Sequence, residues 1–435
     1  MKRRSPAVLP LVVGVVLGGA AGWFAIKSFA PKSIAPSAGA APTATVPAID
    51  LAYTPVAIGA SVESLGRPTV TNVQAFDLDQ DGRLDVLYCE ASTNTVRWVR
   101  QIAGGQFVES TIGTQLPGPV HVWAADIYGN GRLDVLVACM GQVMPNNDPI
   151  GAVFVLENRD NTRFERRAIL SDVARVTDVR AANLRGHADG RLDLIVGQFG
   201  YDQGETQWLE NRGDWTFAGH NVNQQSGAIH TPVADFDGDG RPDFAALISQ
   251  EWEEVHLFRN QGDGRFADEI LWGSTNEDFG SSGMKVADLN RDGRPDLLVS
   301  NGDGFDYSVR GPRPWHGVQW LENRADGSFA YHHIGNMPGA FAPSPADLDG
   351  DGDIDLVVVS GFGDWSNTET VALMAWINDG REQFTAHPLA LIPIQMITAA
   401  TGDFDGDGIP EIVTGGYHAF PPHENMSNIT LWRKN

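Results

Sequence analysis

The sequence predicts an all-β protein, a seven-bladed β-propeller with Ca2+-binding acidic loops, preceded by an N-terminal transmembrane helix. Three observations carry this reading. One acidic motif recurs seven times through residues 50–435. Each recurring unit holds four short runs of strand character separated by turn residues, and no segment of ten or more residues has helical periodicity. An uncharged run of twenty residues, Ala7 to Ile26, follows a basic start.

The N-terminal segment comes first in the chain. Lys2, Arg3 and Arg4 precede the apolar run, and twenty helical residues span roughly the 30 Å of a bilayer core. The basic cluster predicts a cytoplasmic tail over residues 1–6, a signal-anchor over 7–29 and a remainder outside the cytoplasm, periplasmic or at the cell surface. A cleaved signal peptide that leaves a secreted protein is the alternative. Its apolar region is usually shorter, about 7–15 residues, and Pro31 makes Ser28-Phe29-Ala30 a poor junction. Residues 30–49, rich in Ala, Pro, Ser and Thr, read as an extended tether.

Charge is unevenly spread. The chain has 435 residues, with 31 Lys plus Arg against 55 Asp plus Glu, a net charge of -24. No acidic residue lies before Asp50. So acidic a domain repels phosphates, which excludes nucleic acid as a partner. Two cysteines exclude a disulfide-dense scaffold and a four-cysteine zinc site. Cys89 and Cys139 end equivalent strands of adjacent units and read as buried thiols, with a disulfide left open.

The repeated motif is Asp-x-Asp-x-Asp-Gly-x-x-Asp followed by an apolar run. Clear copies begin at Asp77, Asp235, Asp288, Asp347 and Asp403, and degenerate copies at Asp126 and Asn183. Their starts are 49 to 59 residues apart, room for one four-stranded blade each. A second signature lies between them: an apolar strand ending in Asn, a turn and a Phe, as in QWLENRGDWTF ending at Phe217. Trp98, Trp208, Trp320, Trp376 and Trp432 recur within it and read as blade packing. Arg212-Gly213-Asp214 falls in its turn and reads as coincidence. The C-terminal ITLWRKN is a third strand without a fourth, and LAYTPVAIG after Asp50 is a fourth without a third. Together they complete one blade, and closure leaves no open edge. These motifs resemble the FG-GAP/VCBS repeat family, which includes the integrin α-subunit head. The resemblance covers roughly residues 50–435.

Alternating carboxylates before a turn glycine form an oxygen shell suited to a hard cation. Ca2+ is expected as a structural cofactor, about five ions. The candidate ligands are Asp77, Asp79, Asp81 and Asp85; Asp235, Asp237, Asp239 and Asp243; Asp288, Asn290, Asp292 and Asp296; Asp347, Asp349, Asp351 and Asp355; and Asp403, Asp405, Asp407 and Glu411. Tyr128 and Arg185 intrude in the two degenerate loops.

A ligand is expected on the opposite rim, where the units stop repeating. Five residues before each loop stand Asn72, His121, Asp178, His230, Gly283, Ala342 and Thr398. Three before stand Gln74, Trp123, Arg180, Pro232, Lys285, Ser344 and Ala400. His121, Asp178 and His230 are expected to meet near the central channel, and Trp123 and Arg180 are further candidate ligand-binding residues. Variable loops add Trp252, Tyr307, Arg310, Trp315, His316, Trp365 and His418 as candidate ligand-binding residues. Aromatic faces beside carboxylates, Arg and His suit sugar rings or a charged polymer. The function read from this is a monomeric binding or adhesion module for a glycan, polymer or protein. The resemblance implies adhesion or ligand binding too, including sugar binding. The alternative is a carbohydrate-active enzyme, a polysaccharide lyase or sugar dehydratase. In it His121, His230 or His316 serves as base, Tyr307 or Tyr417 as acid, and Arg180 or Arg310 neutralises a substrate carboxylate.

Overall fold

The computed structural model describes residues 51–435 except 201 and 306. The signal-anchor and tether readings lie outside the described residues. Among those described, no helix is long and apolar enough to cross a membrane; the helix Val62–Leu65 has four residues. One compact unit runs Ile49–Asn435.

Seven antiparallel sheets form the unit. In the first blade the strands run outward in chain order: Val70–Phe76, Asp85–Glu90, Thr95–Ile102 and Gln106–Gly113. Blades two to six repeat this order, with innermost strands Pro119–Ala125, Arg175–Ala182, the split pair Ala228–His230 and Val233–Ala234, Ser281–Ala287, and Ala340–Ala346. The seventh blade takes Met396–Gly402, Glu411–Gly416 and Ile429–Lys434 from the C-terminus. Its outermost strand is Tyr53–Ala57, antiparallel to the last strand with Tyr53 opposite Lys434 and Ala57 opposite Thr430. The expected closure between the two ends of the domain is therefore present.

Burial follows position in the blade. The second strand is buried along its length, as in Asp85–Glu90 and Asp355–Ser360, because neighbouring blades cover both its faces. The fourth strand alternates, as Gln106–Gly113 does, because one face meets solvent. Seven apolar clusters fill the core, each joining residues of two adjacent blades. The cluster with Val70, Val86, Val413 and Leu431 joins the first blade to the seventh, so the ring closes by packing as well as pairing. The repeated Trp98, Trp208, Trp320, Trp376 and Trp432 are buried in these clusters, as expected. Both cysteines are buried and unbridged.

The ninth motif residue makes a tie that recurs in six of the blades. Asp243 Oδ1 accepts from Asn260 N at 2.7 Å and its Oδ2 from Phe236 N at 3.0 Å. Asp296 accepts from Asn323 N and Leu289 N, and Asp355 from Asn378 N and Leu348 N, all within 3.0 Å. The carboxylate thus clamps its own loop to the end of the third strand. The Asn side chain then reaches onward: Asn260 Nδ2 donates to Leu184 O and Asn323 Nδ2 to Phe236 O, each in the preceding blade. In the first blade Gln101 takes this place and donates to Phe404 O across the ring closure. Asn158, Asn211 and Asn378 instead donate within their own blade, to Leu133 O, Leu192 O and Ile354 O.

Removing this carboxylate strands two buried donors, each costing about 1–3 kcal/mol. Asp243→Ala is expected to lower unfolding free energy by about 2–4 kcal/mol in a denaturant titration; a loss within the scatter of surface mutants would contradict the tie. Deleting residues 51–58 removes a five-residue ladder and should cost about 3 kcal/mol or more, at roughly 0.5–1.5 kcal/mol per hydrogen bond. An undiminished melting temperature would mean that closure does not brace the ring.

Candidate functional site: an acidic rim and a channel mouth

Each acidic loop leaves the end of an innermost strand, so all seven share one rim. The first Asp folds the loop onto itself: Asp77 Oδ1 accepts from Asp81 N (2.9 Å) and Oδ2 from Gly82 N (2.8 Å). Asp126 and Asp288 repeat both bonds. Gly82, at φ 86°, holds a left-handed conformation that a side chain would strain.

In four loops three carboxylates come within 4.8 Å of one another: Asp77, Asp79 and Asp85; Asp235, Asp237 and Asp239; Asp347, Asp349 and Asp351; and Asp403, Asp405 and Glu411. The Asp288 loop has Asn290 in third place, its amide 3.1 Å from Asp292 Oδ2. Asp79 Oδ1 is buried without a hydrogen-bond partner. Burial raises the Asp79 carboxyl, and crowding by Asp81 and Asp77 adds to it against the pull of Arg100. Burial pushes Glu411 up to about 7. A crowded, partly orphaned set of oxygen donors fits a divalent hard cation such as Ca2+, and the absence of Cys and His from these four groups does not fit zinc. In the Asp77, Asp235 and Asp288 loops an arginine, Arg83, Arg241 or Arg294, pairs with the fifth-position carboxylate, so that ligand is shared.

The degenerate loops replace ligands with packing. Tyr128 Oη accepts from Trp215 N at 2.6 Å, and the two rings meet edge to face. Arg185 pairs with the ninth-position Asp193 and with Glu210, putting a side-chain cation into a loop that has lost carboxylates.

The innermost strands open onto a cavity of about 200 Å³ at the opposite mouth of the channel, lined from all seven blades. One device recurs there. In every blade the register of the innermost strand shifts at or just before the position five residues ahead of the acidic loop. The extra residue re-aims the side chains that follow.

The expected polar cluster is assembled here. His121 Nδ1 lies 2.9 Å from Asp178 Oδ1, and His230 Nδ1 lies 3.9 Å from Asp178 Oδ2. Arg180 Nε donates to Asp178 at 3.0 Å, and its guanidinium stacks 4.3 Å over Trp123. Thr231 N also donates to Asp178 at 2.8 Å. Burial would raise the Asp178 carboxyl, but Arg180 and His121 outweigh it and hold it far below the usual range. Burial lowers His121, and it lowers His230 to about 4. Burial thus favours the neutral imidazoles, while Arg180 is the standing cation beside the Asp178 carboxylate.

The loop candidates do not join this cluster. Tyr307 Oη and Trp315 Nε1 both donate to Asp278 O at 2.8 Å, and Arg313 stacks on Tyr307. His316 is buried and accepts from Gly339 N at 3.1 Å, which pins its loop. His418 is buried and accepts from Ser427 N at 3.0 Å. Arg310 stacks 3.9 Å from Phe420 and rims a separate hollow with Trp365. Trp252, 45% exposed, rims a third hollow with Glu251 and Asp202. None of these residues lines the channel cavity, nor does any tyrosine among the described residues. Tyr307, Trp315, His316 and His418 are spent on backbone groups of their own or adjoining loops, a cost that motif spacing does not reveal. Lys285 lines the cavity from its counted position, and Arg175 and Ser281 line it from positions that the count does not reach. The signal for Lys285 was present: it occupies the position three before the loop, where Arg180 stands in the third blade.

Fold and rim together define a class, a ring-closed seven-bladed propeller with acidic first-to-second-strand loops. The model of the FG-GAP-like repeat matches residues 77–137, 188–246, 235–299, 301–358 and 347–414, and the chain belongs to that family. Among solved structures it is similar to BBS1N in complex with ARL6DN, in a crystal soaked with mercury. That match has 12% identity, a TM-score of 0.53, and covers 87% of this chain and 94% of that one. A lead-soaked crystal of the same complex matches at 12% and 0.53, covering 89% and 97%. At this identity the likeness is one of fold. No curated protein sequence matches the chain.

If the rim takes Ca2+, chelation should lower the melting temperature. Free calcium at ten times Kd stabilises by about 1.4 kcal/mol per site, with Kd of roughly 10⁻⁴–10⁻³ M. An unchanged melting curve in chelator, with no calcium by elemental analysis, would refute it.

Proposed function

We propose that the protein is a calcium-braced binding module that presents its channel mouth to a glycan, polymer or protein. The observation that carries this is the mouth cavity: all seven blades contribute to it, and it is where the repeat stops repeating. Its lining includes a buried polar atom with no partner, His121 Nε2. Buried polar atoms are nearly always satisfied, so an unpaired one facing a cavity argues for an exchangeable occupant. BBS1N, of the same fold, is crystallised in complex with ARL6DN, which is consistent with a propeller serving as a docking platform. The acidic loops are structural in this reading. The basic start and the run from Ala7 to Ile26 support an anchor that holds the domain outside the cytoplasm.

The His121–Asp178 pair favours a second reading, with His121 as a base in a lyase or dehydratase. It lacks the expected partners, because Tyr307, Tyr417 and His316 do not line the cavity.

The test uses residues 49–435, whose ring closes on itself. The domain is incubated with a panel of neutral and uronic polysaccharides. Saturable binding without turnover, abolished by Ile397→Trp at the mouth, is expected. Ultraviolet absorbance from unsaturated ends would replace this reading by the enzyme; binding that survives Ile397→Trp would put the site elsewhere.

A further inference from the structure

We propose that the channel mouth holds a small hydroxycarboxylate, such as a sugar acid, with its carboxylate on Lys285 and Arg180 and a hydroxyl on His121 and Ser281. This rests on the binding-module reading above and names its ligand class.

The charge on the channel floor is unbalanced. Lys285 lines both the mouth cavity and the hollow at the acidic end of the channel, so it sits at the narrowing between them. Its ammonium donates to Ser344 Oγ at 2.7 Å and to Ala399 O at 3.0 Å. An ammonium has three donors, so one is left for the cavity. No carboxylate among the described residues pairs with it; the charge it feels is another cation, Arg180. Burial, then Arg180, lowers the amine to about 7. Arg180 is itself held through Nε by Asp178, and its terminal nitrogens make no hydrogen bond among the described residues. Asp178 is fully enclosed by His121, Arg180 and Thr231 N, so it cannot answer Lys285 as well. Of these two cations only Arg180 is paired, to Asp178; Arg175 and Asp303 line the same cavity, and neither is paired with Lys285. A buried charge without a counterion is costly, and such costs concentrate where a ligand supplies the missing partner.

The other half of the ligand follows from His121, which is 2% exposed. Nδ1 faces the Asp178 carboxylate and therefore carries the proton. Nε2 is left as a lone-pair acceptor with no partner, and Ser281 Oγ, which donates to the Glu253 carboxylate, keeps lone pairs of its own. An acceptor beside two cationic donors calls for a hydroxyl and a carboxylate on one molecule. The volume, about 200 Å³, exceeds the roughly 150 Å³ that admits a benzene-sized guest. Met284, Ile229 and Phe341 supply apolar wall for a ring or chain.

Binding of glucuronate to the domain is measured by calorimetry, against glucose as the uncharged counterpart and an oligoglucuronate as the polymer source. Glucuronate should bind at least about tenfold more tightly than glucose, a 1.4 kcal/mol preference. Lys285→Met should erase that preference while keeping or raising the melting temperature, because it removes a buried charge; a purely structural Lys285 would lower it. Ser281→Ala should weaken glucuronate without changing the charge preference. Tighter binding of the oligomer would assign the site to a chain end, and equal binding to the free acid. Equal affinity for glucose and glucuronate, or Lys285→Met within twofold of the parent, would overturn the proposal. So would no glucuronate binding at millimolar concentration. If Ile397→Trp then still abolished capture of a polysaccharide, the channel-mouth reading would stand without this ligand class.

Discussion

The structure depends on a buried carboxylate that accepts two backbone N–H groups at once. At Asp85, Asp243, Asp296 and Asp355 one oxygen takes the loop and the other takes the end of the third strand. A loop of alternating acids would otherwise repel itself open. The tie holds it closed, and at Gln101, Asn260 and Asn323 the side chain passes the connection to the neighbouring blade. Burial raises these carboxyls, to about 6 at Asp85, Asp243 and Asp296 and about 7 at Asp355. The domain therefore keeps its charge where a cation or an arginine can answer it. Arg185 beside Asp193 shows the arginine form of that answer.

The same regularity makes the opposite rim free to vary. Because ties, tryptophans and seven apolar clusters fix the blades, the starts of the innermost strands need not contribute to stability in the same way in each blade. A register shift in every innermost strand turns them toward the channel. Against that frame the polar residues are unequal: His121, Asp178 and Arg180 come from neighbouring blades, Lys285 from farther round, while Ala342 and Pro343 offer none. The asymmetry is placed on a symmetric scaffold, which is what selective binding of one molecule requires.

Much of this was legible in the sequence. Blade number, strand order and ring closure follow from the motif spacing and from two complementary half-blades, because a repeat enforces its own geometry. The meeting of His121, Asp178 and His230 was legible too, since equivalent positions in successive blades face one axis. What was not legible lies in the long loops. Tyr307 and Trp315 are directed to one carbonyl, Asp278 O, and His316 and His418 to backbone amides of their own or adjoining loops. Irregular backbone must satisfy its polar groups locally, and no spacing rule says which side chain will do so. The second role of the ninth residue was hidden for a different reason: a metal ligand and a backbone tie ask for the same carboxylate.

Hydrogen exchange at the amides of Gln101, Asn158, Asn211, Asn260, Asn323 and Asn378 tests the central tie most directly. Each of these N–H groups donates to the buried ninth-position carboxylate of its blade. If the ties hold the ring, these six amides exchange only with global unfolding, as slowly as the second strands. Exchange at the faster rate of the hairpin turns beside them would contradict the account.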